Sequence, residues 1–225
     1  MLNLDHGMKV ERLAHYQSEA GSLHHLTKYK KWSKLLAHRV ECALLHRLLQ
    51  RVGHSRDIFD APTGPGRFFE ILKQHADEVH LGDISPHMLD IARAQTQNRA
   101  ASYTVVDLLR VAPESRTFEG MTSLRLTHHI YEPEVIEEYF RGLSILTRRW
   151  LIVTFRDAHT PSTIWRRFGR RLRGKRNLPA QSIDEVCDIM RPFGLHLVTT
   201  EHVCRWFSGH CYALFVRNPD GSPTE

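Results

Sequence analysis

The chain reads as an open α/β sheet, mainly parallel, with helices on both faces and an antiparallel hairpin at its end. Three observations predict this class. The stretch Asp57-Ile58-Phe59-Asp60-Ala61-Pro62-Thr63-Gly64-Pro65-Gly66-Arg67 runs from an apolar pair to a carboxylate and then through a turn with two glycines. It continues into the amphipathic run Phe68-Phe69-Glu70-Ile71-Leu72-Lys73, so it reads as strand, Gly-rich turn and helix, the first unit of such a sheet. Further on, short apolar or β-branched runs alternate with helical patterns, as stacked βα units require. The last two apolar runs have no helical pattern between them and meet around Ser208-Gly209.

The 225 residues are 41% hydrophobic and 25% charged, enough for one α/β domain with a buried core. Met1 to Val10 have no apolar core of the kind a secretory signal needs. No apolar run approaches the ~20 residues of a membrane span. Cys42, Cys187, Cys204 and Cys211 show no C-x-x-C spacing. They read as reduced thiols of a cytoplasmic protein, without the ligand spacing of a zinc site. A net charge of +6 favours anionic partners without naming one. The 16 histidines are mostly scattered, and adjacent pairs such as His24-His25 cannot share one helix face.

In order, Met8 to Ala20 have helical composition and weak periodicity. Tyr29 to Val52 is a clearer helix, with Leu36, Val40, Ala43, Leu44, Leu48 and Val52 as its buried stripe. Leu45 and Leu49 widen that stripe and Gly53 ends the helix. The first βα unit follows. Glu78 to Asp83 is the second strand, again closed by a carboxylate. Ser85-Pro86 supplies an N-cap and a first-turn proline to a helix whose apolar face is Met88, Leu89, Ile91 and Ala92. Tyr103 to Val106 is a third strand running into Asp107-Leu108, and Gly120 to Thr127 a fourth. His128-His129-Ile130-Tyr131 follow, then a helix opened by Glu132-Pro133 that reaches about Thr147. Trp150 to Phe155 is a fifth strand, apolar on both faces. Ser182 to Glu185 is a capping box opening a helix to about Phe193, which Gly194 ends. Leu195 to Val203 and Cys211 to Val216 form the hairpin, and 218–225 is a polar tail expected to fray.

Asp60-Ala61-Pro62-Thr63-Gly64-Pro65-Gly66-Arg67 resembles the first motif of class I S-adenosylmethionine-dependent methyltransferases, [D/E]-x-G-x-G-x-G, in a D-x-P-x-G-x-G-R variant. Pro62 stands where the first glycine is usual, and no glycine follows Arg67. A dinucleotide fingerprint fits less well, since Phe69 occupies the position that must be small. The stretch Gly82-Asp83-Ile84-Ser85-Pro86-His87-Met88-Leu89 is similar to that family's second motif. The resemblance covers about Asp57 to Arg217. It implies a Rossmann-like, seven-stranded sheet behind a helical N-terminal extension (1–54), the methyltransferase domain proper being 55–218.

It also implies a cofactor, S-adenosyl-L-methionine, held by Asp60, Ala61, Pro62, Thr63, Gly64, Gly66, Arg67, Asp83, Ile84, Met88, Asp107, Leu108 and Thr127. Asp83 would accept the ribose hydroxyls, because a carboxylate offers only acceptors and a vicinal diol two donors. Asp107 and Leu108 would contact the adenine. Tyr29 and Trp32 either close over the methionine end or pack on the sheet edge. His128 and His129 are the candidate general bases if the acceptor is a hydroxyl. On an extended strand end they would point opposite ways, so one would face the crevice. A packing or cofactor-shaping role is the alternative.

Tyr131, Trp165 and Arg166 are candidate acceptor contacts. The segment from Ser162 to Arg176 pairs a Trp165, Phe168, Leu172 repeat with a run of arginines. It reads as a solvated basic face with a small apolar anchor, as a lid over an anionic substrate, or as a patch for membrane phosphate or RNA. Thr127-His128-His129-Ile130 replaces the [D/N/S]-P-P-[Y/F/W] signature of amide and exocyclic-amine methylation, and no Pro-Cys nucleophile is present. The expected activity is therefore methylation of a small-molecule or lipid-intermediate acceptor, with an anionic group as one option. An RNA methyltransferase and a non-catalytic S-adenosylmethionine-binding protein stand as the alternatives.

Overall fold

The computed structural model describes residues 32–204 and 208–217. Helix α1 (Trp32–Val52) leads into β1 (Ser55–Asp60), α2 (Phe69–Lys73), β2 (Ala76–Asp83), α3 (Pro86–Gln95) and β3 (Ser102–Val105). Then come β4 (Phe118–Ser123), a 3₁₀ turn (Thr127–His129), α4 (Pro133–Leu146), β5 (Thr147–Arg156) and α5 (Pro161–Leu172). Helix α6 (Ile183–Met190) with a 3₁₀ turn (Arg191–Phe193), β6 (Leu195–Cys204) and β7 (Ser208–Arg217) complete the order. The sheet has seven strands in the order β3-β2-β1-β4-β5-β7-β6. Strands β1 to β5 are parallel neighbours, and β7 runs antiparallel to both β5 and β6.

Both faces of the sheet are covered, which is why the central strands are apolar without interruption. On β5, Trp150 and Ile152 enter one core, with Leu44, Leu45, Leu48 and Leu49 of α1 and Phe69 and Leu72 of α2. Leu151, Val153 and Phe155 enter the other, with Ile136, Tyr139, Phe140 and Leu143 of α4 and Val186 and Met190 of α6. Local signals work as the sequence predicts around α3, where Ser85 Oγ accepts from the Met88 N–H, and around α6, whose capping box joins Ser182 and Glu185. Gly194 takes the left-handed φ of 71° that stops the following turn.

Four expectations need correction. The buried stripe of α1 departs from expectation at Leu36, which is 64% exposed, and at exposed Ala43; Leu44 and Leu48 are buried as expected, Val40 and Val52 pack half-buried against the same core, and Glu41, Leu45 and Leu49 complete the inward face. Glu41, Leu44, Leu45, Leu48 and Leu49 recur at three and four residues, so the stripe is real but turned around the helix. Strand β4 ends at Ser123, not Thr127, because Arg125 takes φ 68° and breaks the extended run. Ser208-Gly209 is not the hairpin turn; both residues lie within β7. The Trp165, Phe168, Leu172 repeat does form a helix, but it anchors nothing: all three side chains are exposed. Tyr29 and the 218–225 tail lie outside the described residues, as does the side chain of Trp32. Among the described residues no helix is long and apolar enough to cross a membrane.

Candidate active site

The crevice lies beyond the carboxyl ends of β1, β2 and β4. Strand order reverses between β1 and β4, and a gap opens there between connections that leave toward opposite faces. Strand β1 delivers Asp60 to this gap. Its Oδ1 accepts from Thr122 Oγ1 at 2.7 Å, while Oδ2 is buried and makes no hydrogen bond of good geometry, although the Thr63 hydroxyl lies near the carboxyl. Burial pushes the carboxyl up to about 6, against the hydroxyls of Thr122 and Thr63 and helped by the nearby Asp83 charge. A buried acceptor left this way is costly without a ligand. Ala61 is fixed by its N–H, which donates to the Thr122 carbonyl at 3.0 Å, and by the Ser123 hydroxyl, which donates to the Ala61 carbonyl. Pro62 follows through a cis peptide bond.

The turn is stitched to β2. Thr63 N–H donates to the Gly82 carbonyl at 2.8 Å, and Gly64 N–H to Asp83 Oδ2 at 3.0 Å. Asp83 Oδ1 accepts from Ser85 N–H at 3.0 Å. Burial raises the Asp83 pKa and these backbone bonds restrain it. A carboxylate has about four lone-pair sites, so each oxygen keeps room for a further donor. The two glycines differ. Both have positive φ, 55° at Gly64 and 75° at Gly66. A Cβ at Gly64 would project into open space, whereas one at Gly66 would press on Thr96 Cγ2 at 3.1 Å. Gly64 therefore borders the crevice, and Gly66 lets the turn pack on α3.

Ile84 is half-buried and Met88 buried at the start of α3. Asp107 Oδ1 accepts from Leu109 N–H at 3.0 Å, and Leu108 is buried beneath Gly142 of α4. Thr127 spends its hydroxyl on the Thr154 carbonyl at 2.9 Å. Arg67 extends toward α1, with Nη2 at 3.3 Å from Glu41 Oε2 and 2.9 Å from His38 Nδ1. Arg125 reaches the same buried Glu41 carboxylate at 3.4 Å. One side chain of α1 thus ties the Gly-rich turn to the segment after β4.

His128 and His129 lie on the 3₁₀ turn, not on a strand, so the expectation that they diverge fails. Their ring centroids are 4.0 Å apart, and His210 of β7 meets His128 edge-on at 5.5 Å. His210 faces Arg156 across the β5–β7 pairing. Arg156 is 8% exposed, its Nε has no acceptor, and no described carboxylate lies within ion-pair reach of it. Burial, the neighbouring His129 and His210, and the cations Arg125 and Arg156 hold His128 down to about 2. Burial and the same arginines hold His210 down to about 4. Tyr131 lies under the Arg176 guanidinium at 4.3 Å, and Arg176 pairs with Glu132 at 3.3 Å. Arg166 is exposed yet close enough to Arg156 to depress its pKa after burial has done so. Trp165 points outward, away from this cluster.

Glu41, Arg125, Arg156 and His210 were not singled out in the sequence. Arg156 could have been, by the rule that picks out Asp60 and Asp83: it is the first charge after an apolar strand. Glu41 left a fainter mark, an acid within an apolar stripe.

The sheet order with carboxylates at the tips of β1 and β2 defines the class: a Rossmann-like α/β fold of the methyltransferase type. Residues 58–148 match the family model described as Methyltransferase domain. The chain has the fold of magnesium protoporphyrin IX methyltransferase from Synechocystis PCC 6803, solved with bound SAH, at 17% identity over 90% of this chain and 96% of that one, TM-score 0.71. It is likewise similar to the N-methyltransferase NodS of Bradyrhizobium japonicum WM9 in complex with S-adenosyl-L-homocysteine, at 15% identity over 80% and 86% of the two chains, TM-score 0.60. A TehB-like SAM-dependent methyltransferase from Corynebacterium glutamicum aligns at 16% identity over 89% and 100%, TM-score 0.62. No curated protein sequence matches the chain.

Proposed function

We propose that the protein is an S-adenosylmethionine-dependent methyltransferase whose acceptor is a small molecule or lipid intermediate carrying an anionic group. One observation carries the cofactor reading: Asp60 and Asp83, buried carboxylates on adjoining strand tips, flank the open side of Gly64, and Asp60 Oδ2 makes no hydrogen bond of good geometry. That orphaned acceptor fits the cationic amino-acid end of the cofactor, and the spare lone pairs of Asp83 fit the ribose diol. Asp107 and Leu108 would hold the adenine, Ile84 and Met88 the apolar side of the nucleoside, and Thr127 the backbone beside the sulfonium. Ala61, Pro62 and Thr63 shape the turn, and Arg67 acts through Glu41 to fix it. When bound, the cofactor supplies an electrophilic methyl, which an acceptor lone pair takes as the carbon–sulfur pair returns to sulfur.

His128 and His210 favour an acceptor that needs no base from them. His128 and His210, held neutral at about 2 and about 4, are poor proton acceptors near neutral pH. An oxygen already ionised, such as a carboxylate, loses no proton on methylation. Arg156, buried and without a carboxylate partner, is the group to seat it. His128, His129 and Tyr131 then wall the acceptor in, and enzymes of this type work largely by holding two reactants in line. The fold shared with magnesium protoporphyrin IX methyltransferase, by its name an enzyme acting on a small molecule, agrees with this reading without fixing the acceptor.

Calorimetry with S-adenosylmethionine tests the first half. Asp83→Ala should weaken binding at least about tenfold, about 1.4 kcal/mol; unchanged affinity removes the ribose role. Transfer of a labelled methyl to a panel of carboxylate, phenol and amine acceptors tests the second. With the best acceptor, Arg156→Gln should raise KM about tenfold or more while kcat changes less, as for an interaction present before and during transfer. Equal KM would reject the anion seat.

A further inference from the structure

We propose that α5 is a membrane-interface helix that seats the protein on a bilayer bearing anionic lipids. This goes beyond methyl transfer and does not depend on it. Ile164, Trp165, Phe168 and Leu172 are 55%, 76%, 56% and 72% exposed. These are four of the seven exposed large hydrophobic side chains among the described residues. With 3.6 residues per turn they fall within an arc of about 100°. Thr163, the buried side chain of the helix, lies on the opposite side. The apolar arc therefore faces directly away from the protein, where no described element covers it. Arg171 borders it on one side, and Arg173 lies at the end of the helix just past Leu172.

Between Pro161 and Arg176 there are seven cations and no carboxylate. A solvated basic helix has no use for four protruding apolar side chains, and an RNA-binding face would present its cations outward instead of an apolar ridge. A ridge of Trp, Phe and Leu edged by arginines matches a bilayer surface, where the apolar face enters the acyl boundary and long cationic side chains reach up to the phosphates. Anionic lipid completes the charge match. The helix is also placed for this role. Thr160 Oγ1 donates to Thr163 Oγ1 at 2.8 Å, and a Cβ at Gly209 of β7 would overlap that Thr163 oxygen. Thus α5 packs by its root beside His210 and Arg156, and a lipid-borne acceptor would enter from the same side.

The test is co-sedimentation of the full chain with vesicles of phosphatidylcholine alone and of phosphatidylcholine mixed with phosphatidylglycerol, without cofactor. Binding is expected to the mixed vesicles only, to weaken as salt rises, and to fall at least about tenfold when Trp165, Phe168 and Leu172 are replaced together by Ser. These side chains are exposed, so the triple variant should keep the wild-type melting temperature and calorimetric affinity for S-adenosylmethionine. A second variant, Arg171→Glu with Arg173→Glu, should bind the mixed vesicles more weakly and still bind the cofactor. Four outcomes would overturn the proposal. These are no binding to mixed vesicles, equal binding to neutral ones, binding untouched by the triple substitution, or self-association that the triple substitution abolishes without any vesicle binding. Tight binding of an unstructured RNA that ignores the triple substitution would assign the cations to RNA instead.

Discussion

Asp60, in the role proposed for it, serves binding at the expense of folding. Its pKa in the folded chain is about 6, against an ordinary 3.8. A carboxyl raised in this way stabilises the fold fully below pH 3.8, and that contribution is lost as pH rises through 6. At neutral pH the buried charge therefore destabilises the cofactor-free protein, by up to about 3 kcal/mol. Asp60→Asn should raise stability in urea unfolding at pH 7.5, and the gain should shrink toward zero at pH 4. The same substitution should weaken S-adenosylmethionine binding at least about tenfold, since the amide cannot neutralise an ammonium. Stability and affinity moving in opposite directions would set this residue apart from a merely structural one. Asp60 was legible in the sequence because a carboxylate ended an apolar run before glycines. Its orphaned oxygen was not, since that depends on Thr122 taking up the other one.

At the scale of elements, the glycines within helices separate what sequence can and cannot reveal. Nothing in the sequence marks Gly142 of α4. A Cβ there would overlap the backbone carbonyl of Leu108, which cannot rotate away. Gly142→Ala should cost about 3 kcal/mol in thermal or urea unfolding, at the upper end of overpacking effects. It should also weaken cofactor binding by displacing Asp107 and Leu108. Gly169 in α5 has nothing within 4 Å of its would-be Cβ. Gly169→Ala should stabilise by roughly 0.5–1 kcal/mol, the ordinary helical preference for alanine. Cap chemistry was readable for α3 and α6 because Ser85 and Ser182 act on their own backbone. The rotation of α1 and the end of β4 were not. One depends on which side the sheet meets, the other on a positive φ at Arg125 that no non-glycine residue announces.

Across the whole molecule, the alternation of strands and helices and the closing hairpin could be read in order, but strand neighbours could not. Nothing in the local pattern of β6 and β7 says that the later strand enters the sheet first. That placement brings His210 beside Arg156, and so builds the cationic end of the crevice from residues far apart in sequence. The Gly-rich turn and the tips of β1 and β2 were legible because they are local. The cluster around Arg156 and His210 was not, because α5, β5, β7 and the turn after β4 meet only in three dimensions.

The insertion of β7 between β5 and β6 has a further consequence, for how the protein is made. During translation β6 leaves the ribosome while the strand that joins it to the rest of the sheet is still unsynthesised. Until β7 arrives, the growing polypeptide presents two unpaired sheet margins at once, each able to capture a stranger. A chain halted before Ser208 would therefore be a substrate for chaperones and proteases, and the cluster around Arg156 would be complete only when the final interior strand slides into its slot.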